Sequence, residues 1–125
     1  MTNKATTDKA MTPEDITRLF VERSNAGDAD GVAALYADNA VMAYPAGQTT
    51  TGRAAIRELW ASVLAHGPRF ELEEGLPTLV YGDIALTSTA PKDNAGARAQ
   101  VVQRQPDGSW PVSYTHLTLP TNREV

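Results

Sequence analysis

Cysteine is absent from this chain. Disulfides, thiolate metal sites and a cysteine nucleophile are therefore excluded, and the absence fits a reducing compartment. Histidine is nearly as scarce, with only His66 and His116. Two histidines so far apart, without cysteines, do not suggest a metal site, and none is expected. Long apolar runs are missing too, since none approaches the ~20 residues needed to span a bilayer. The opening MTNKATTDKA has no apolar h-region of a secretory signal. A cytoplasmic protein without membrane contact is expected. Positive charge is in the minority, with 11 Lys and Arg against 15 Asp and Glu and a net charge of -4. That balance gives no electrostatic reason to expect a nucleic acid partner. No phosphate loop, nucleophile elbow or dinucleotide fingerprint is present, and no cofactor is expected.

What is there fits one folded unit. A chain of 125 residues with 42% hydrophobic and 21% charged residues has the composition of a single globular domain. The expected division is a loose polar tail over residues 1–10, a domain over 11–110 and an atypical segment over 111–125. Thr12, Pro13 and Asp15 read as the cap, first position and acidic first turn of a helix carrying Ile16, Leu19, Phe20 and Arg23 on one face. Gly27 ends it. Asp28 caps a second short helix with Val32, Leu35 and Tyr36 on one face. Residues 40–44 form a short β-prone run turned away by Pro45-Ala46-Gly47. Thr51 or Gly52 opens a third helix with Ile56, Leu59, Trp60, Val63 and Leu64 at helical spacing, stopped by His66-Gly67-Pro68.

From Arg69 the hydrophobic period falls to two, in FELEE, TLVYGDIALTSTA and ARAQVVQRQ, with Gly-Leu-Pro, residues 92–96 and Pro106-Asp107-Gly108 as breaks. Helices first and antiparallel strands afterward is an α+β pattern, with three helices packed on a curved sheet.

The segment NAGDADGVAALYADNAV from Asn25 to Val41 is followed by Gly52-Arg53 with Ile56-Arg57, by Gly82-Asp83-Ile84-Ala85 and by Gln105-Pro-Asp-Gly-Ser-Trp110. Together these resemble the ketosteroid isomerase-like and polyketide cyclase-like (SnoaL-like) branch of the NTF2-like superfamily. The resemblance covers about residues 12–110. It implies a cone in which a bent sheet wraps three helices around an apolar pocket, commonly in a homodimer. Fold alone does not fix function, since this superfold hosts several activities and purely associative domains.

The steroid isomerase of that family uses a carboxylate base opposite a tyrosine and a protonated acid. By the resemblance, the base position just ahead of Pro45 is Tyr44, and the oxyanion tyrosine falls at Phe20. Its supporting tyrosine falls at Trp60, and the buried acid on or near Gln100. All four positions depart from the pattern, so steroid isomerase chemistry by that constellation is not expected. The remaining candidates are Tyr44 as acid or oxyanion donor and Gln100 as its assistant. The expected pocket lining is Phe20, Tyr44, Ile56, Trp60, Leu86, Ser88 and Gln100, with Ser88 and Gln100 read on inward strand phases. His66 is read as a solvated histidine at a helix end, and Arg98 as a solvated residue at a strand start.

Three functions are compatible with these residues. The first is a homodimeric domain binding a small hydrophobic molecule. The second is a lyase, isomerase or cyclase acting on a hydrophobic carbonyl compound. The third is a homodimeric association domain without a ligand. Pro111 and VSYTHLTLPTNREV after it depart from the family pattern and resemble translated adapter read-through, so a non-native tail is expected there. Pro111 lacks a ladder donor and suits an edge or an irregular strand entry.

Overall fold

A computed structural model of the protein describes residues 9–45, 47–67, 69–71, 75–90 and 97–118, the side chains of 117 and 118 excepted. The predicted strand over 70–74, the 92–96 turn and most of the expected N-terminal tail fall wholly or partly outside these residues. The helices are α1 (Asp15–Asn25), α2 (Ala29–Ala33) and α3 (Arg53–Leu64). The strands are β1 (Tyr36–Ala43), β2 (Thr50–Thr51), β3 (Leu79–Tyr81), β4 (Ile84–Ser88), β5 (Ala97–Gln103) and β6 (Val112–Thr118). The architecture is α+β, three helices on one six-stranded sheet of order β2-β1-β6-β5-β4-β3. All neighbours are antiparallel except β1 and β6. Among the described residues no helix is long and apolar enough to cross a membrane.

The start of α1 differs from the sequence expectation. The helix begins at Asp15, whose carboxylate reaches back to accept from the backbone N–H groups of Met11 (3.0 Å) and Thr12 (3.2 Å). The acid of the first turn, rather than Thr12, satisfies those free donors. Ile16, Leu19, Phe20 and Arg23 do form the buried face. At the far end of α1, Asn25 clamps a distant segment, donating to the Phe70 carbonyl (3.0 Å) and accepting from the Phe70 N–H (2.8 Å).

Asp28 caps α2 through Gly31 N–H at 2.9 Å. Gly31 is required there, because a Cβ would overlap the Asp28 carboxylate and come within 3.0 Å of Arg23 Cδ. Arg23 itself is buried between α1 and α2 and donates to the Gly31 carbonyl at 2.9 Å. Tyr36, read as part of α2, instead opens β1. The helix is too short to carry it, ending at Ala33.

The run TLVYGDIALTSTA is two strands, not one. Tyr81 pairs with Ile84, and Gly82 at φ 60° turns the chain between them, a left-handed conformation that glycine adopts without steric cost. This hairpin inverts the expected phase of β4. Ala85 lies opposite Val102 and Thr87 opposite Gln100, so these share the helix-covered face. Leu86 and Ser88, opposite Val101 and Ala99, face outward.

The segment after Trp110 is central rather than peripheral, since β6 lies between β1 and β5. Pro111 precedes the strand, beside a register shift between Val101 and Val102. It thus sits at an irregular entry, as the missing donor requires, but the strand it enters is interior. Trp110 N–H donates to the Ala10 carbonyl (2.8 Å), and Ala10 is buried. In the adjacent turn the Asp107 carboxylate accepts from Ser109 Oγ and N–H and pairs with exposed Lys9. The Ser109 hydrogen bonds first, and Lys9 second, hold that carboxyl well below its ordinary value.

Candidate functional site

Between the helices and the inner face of the sheet the side chains sort into an apolar wall and a polar base. The wall is a set of edge-to-face rings. Phe20 meets Trp60 with centroids 5.2 Å apart and Phe70 at 5.4 Å, and Trp60 and Phe70 lie 6.4 Å apart. Such pairs contribute about 0.5–1.5 kcal/mol beyond their buried area. Phe20 is delivered by α1, Trp60 by α3, and Phe70 by the segment that Asn25 clamps. Ile56 and Met42 are fully buried behind them.

The base is polar. Gln100 is buried on β5 and its Nε2 donates to Thr115 Oγ1 of β6 at 3.2 Å. Thr87, Gln100, Thr115 and Met42 form one row across four strands on the inner face. Arg98, one residue pair away, is 7% exposed. Its guanidinium carbon stands 4.7 Å from the Phe20 ring centroid, within cation–π range. The expected solvated Arg98 is therefore corrected: alternation along β5 turns it inward with Gln100 and Val102.

Tyr36, read from the sequence as part of the apolar face of a helix, completes the base. Its phenol is buried beside the Trp60 indole, Thr115 and the Arg98 charge. Burial raises its pKa above the ordinary value, opposed by the hydrogen-bonding groups of Trp60 and Thr115 and by Arg98. The phenol thus stays protonated and able to donate. The indole Nε1 of Trp60 is buried with the Tyr36 hydroxyl beside it.

Of the residues expected to line a pocket, Phe20, Ile56 and Trp60 lie in the buried core and Gln100 is buried on β5. Tyr44 lies just beyond β1, where its N–H turns back to the Met42 carbonyl (3.0 Å), and packs partly buried against the core. The ring contacts of Trp60 among the described residues run to Phe20 and Phe70. Leu86 and Ser88 leave the candidate set, because the β3–β4 hairpin puts them outside, with Leu86 40% exposed. His66 is exposed at the end of α3, with Nδ1 3.2 Å from the Ser62 carbonyl. Tyr36, Arg98 and Thr115 were missed as members of the site. Alternation inward from Gln100 would have found Arg98, whereas Tyr36 and Thr115 join the base only through the β1–β6 pairing.

A cleft of about 440 Å³ is lined by Lys9, Asp38, Arg53, Asp107 and Trp110 among others. Arg53 is committed there, donating to the Tyr36 carbonyl from Nε (3.0 Å) and Nη2 (2.8 Å) and pairing with Asp38 at 2.8 Å. Those bonds tie the start of α3 to β1 and leave the guanidinium little capacity for a ligand.

The geometry of aromatic wall and polar base can be set beside known proteins. The SnoaL-like domain family matches residues 17–110. The chain belongs to the SnoaL-like domain family. Solved structures place this SnoaL-like chain in the NTF2-like fold. One is a protein from Thiobacillus denitrificans named for the calcium/calmodulin-dependent protein kinase type II association domain, with TM-score 0.73 and 21% identity. The match covers 92% of this chain and 99% of that one. A ketosteroid isomerase-like protein from Erwinia carotovora atroseptica matches with TM-score 0.72 and 17% identity over 87% of this chain and 94% of that one. An NTF2-like protein from Streptomyces avermitilis named as a dehydratase matches with TM-score 0.65 and 19% identity, over 88% and 94%. At these identities the likeness concerns the fold. The SnoaL-like domain is a family of small-molecule-binding and isomerase- or dehydratase-like proteins.

Proposed function

We propose that this SnoaL-like chain binds a small hydrophobic molecule in the interior of its cone and works as a homodimer. The observation that carries the ligand reading is the aromatic wall of Phe20, Trp60 and Phe70 standing over buried Gln100, Arg98 and Tyr36. An apolar lining with a few convergent polar groups is the usual make-up of a small-molecule site. A domain whose core served only packing would gain nothing from placing those polar groups under the rings. Native mass spectrometry of the purified protein tests both parts. A dimer mass with a retained small adduct is expected. A bare protein that also shows no contact with any apolar fragment in ligand-observed NMR overturns the ligand part.

The dimer rests on the outer face of the sheet. Leu79, Leu86, Val101, Tyr114 and Val41 are successive cross-strand partners, an apolar row running over five strands from β3 to β1. That is about 20 Å at the usual strand spacing. Beside it Ile84 is exposed and Tyr81 is 87% exposed. Exposed apolar area of that extent marks an association surface. The occupant we favour is a second copy. The row carries no charge, so two chains of net charge -4 can meet there without opposing ions. Replacing Leu86 and Tyr114 by Lys is expected to give a monomer by light scattering with an unchanged circular dichroism spectrum; a persistent dimer refutes this face.

Turnover is a second reading, favoured only by Tyr44 packing partly buried against the core. It makes the protein a lyase, isomerase or cyclase on a hydrophobic carbonyl compound, with Tyr44 as acid or oxyanion donor assisted by Gln100. Full activity of Tyr44→Phe on any substrate found would sink it.

A further inference from the structure

We propose that the edge strand β3 is a second association site of this chain, at which β3 of two copies pair antiparallel about a two-fold axis at Val80 and join their sheets into one. Among the described residues nothing pairs with the outer edge of β3, which ends the sheet order. Its three residues are apolar and bare, Leu79 at 62%, Val80 at 61% and Tyr81 at 87% exposure. Val80 is the telling one. It shares the helix-covered phase with Ala85 and Val102, both buried, so the helices stop short of β3. Dimerisation through the outer face leaves Val80 uncovered.

The backbone decides which groups this edge offers. Arg104 N–H donates to the Asp83 carbonyl and Leu76 N–H to the Ser88 carbonyl. Alternation along β4 then turns Ala85 toward β5, and Ile84 and Leu86 toward their partners Tyr81 and Leu79 on β3. Val80 stands opposite Ala85 in the unbonded pair, so its own N–H and C=O point away from the sheet. A second β3 laid antiparallel on that edge, with Val80 opposite the partner's Val80, forms both hydrogen bonds of a bonded pair. In the same register Leu79 meets the partner's Tyr81, twice by symmetry, an aliphatic side chain against an aromatic one. Asp83 falls opposite the partner's Pro77, so no like charges are opposed.

A second copy is the occupant because the strand is its own complement in this register, apolar and uncharged at every paired position. Sheet edges are ordinarily blunted by charge, proline or brevity. The opposite edge, β2, is two threonines, whereas β3 is Leu-Val-Tyr, bracketed by Pro77 and Gly82. The bracket fixes the register, and one such edge per chain closes the assembly at two sheets. Three residues a side bury less than the about 800 Å² per partner of a stable complex. The pairing is therefore weak alone and forms at high concentration.

Amide exchange by NMR and sedimentation velocity, from micromolar to near-millimolar protein, test it. At low concentration the Val80 amide is expected to exchange freely while β4 protects those of Leu79 and Tyr81. At high concentration Val80 gains protection as a larger species appears. Val80→Pro removes this N–H without touching the ladder to β4. It is expected to weaken the assembly by at least about tenfold with an unaltered melting transition. A Val80 amide that stays open at the highest concentration, or an assembly indifferent to Val80→Pro, overturns the pairing. Protection by an extended Thr-Val-Thr-Val-Thr peptide but not by a second copy assigns the edge to a foreign strand and overturns it as well. The outer-face dimer is read separately, from the Leu86 and Tyr114 lysine variant at low concentration, so either can fail alone. Should Val80→Pro not fold, Val80 exchange in the wild-type chain decides.

Discussion

At the scale of single residues, Tyr36 has the most altered chemistry. Burial, outweighing Trp60, Arg98 and Thr115, holds its phenolic proton more tightly in the folded chain than the ordinary value of 10.0 allows. The sign follows from linkage. Above pH 10 the unfolded chain releases this proton and the folded one retains it, so the stability it contributes is full below that pH and falls as pH rises beyond it. Urea midpoints measured from about pH 9 to 11 are expected to drop less for Tyr36→Phe than for the wild type; equal slopes would remove Tyr36 as the cause. Gly31 is a residue of the opposite kind, significant for what it lacks. Gly31→Ala puts a methyl into the Asp28 carboxylate and against Arg23 Cδ, and overpacking of that sort costs about 1–3 kcal/mol. Chemical denaturation checks it, and a loss below the measurement error would show that the α1–α2 corner yields.

At the scale of elements, the site depends on which segments hold the rings. Phe70 belongs to no strand or helix, yet its ring closes the aromatic wall because Asn25 at the end of α1 grips its backbone twice. Asn25→Ala leaves a part-buried N–H and C=O without partners, at about 1–3 kcal/mol. It is also expected to quench or shift Trp60 fluorescence as Phe70 moves away; a spectrum identical to wild type would deny the clamp its role. The β3–β4 hairpin is the second deciding element. By turning at Gly82 it sends Leu86 outward and Thr87 inward, which moves a presumed pocket residue into the face proposed for dimerisation. One misread residue of turn exchanges the two faces of a strand, since the side-chain period is two.

For the whole molecule, the sheet order joins chain ends that the sequence keeps apart. β6 is the last described strand in the chain yet stands in the middle, pairing with both β1 and β5. Removing the residues after Trp110 therefore deletes an interior strand, together with Val112 and Thr115, which are buried. The shortened chain is expected to lose cooperative unfolding by circular dichroism and to disperse poorly in NMR; a sharp melting transition would show that the remaining strands close without it. The outer face makes a matching statement at the same scale. Its apolar row is assembled from five strands, so one substitution is expected to weaken the proposed association only in part, and the paired lysine variant is the sharper probe.

The sequence by itself determined the class of fold and the framework of α1, α2, α3 and β5. Those follow from local rules: an acidic first turn, Asp28 as a cap, helical spacing in α3, alternation through Arg98, Gln100 and Val102. It also carried four members of the interior, Phe20, Ile56, Trp60 and Gln100, because periodicity marks the buried side of an element. Only the tertiary structure decided which elements face one another. Strand pairing is a contact between distant segments, and neither composition nor period states that β6 lies beside β1 or that a turn falls at Gly82. For that reason Tyr36 and Thr115 entered the site, and Leu86 and Ser88 left it, on the strength of register alone.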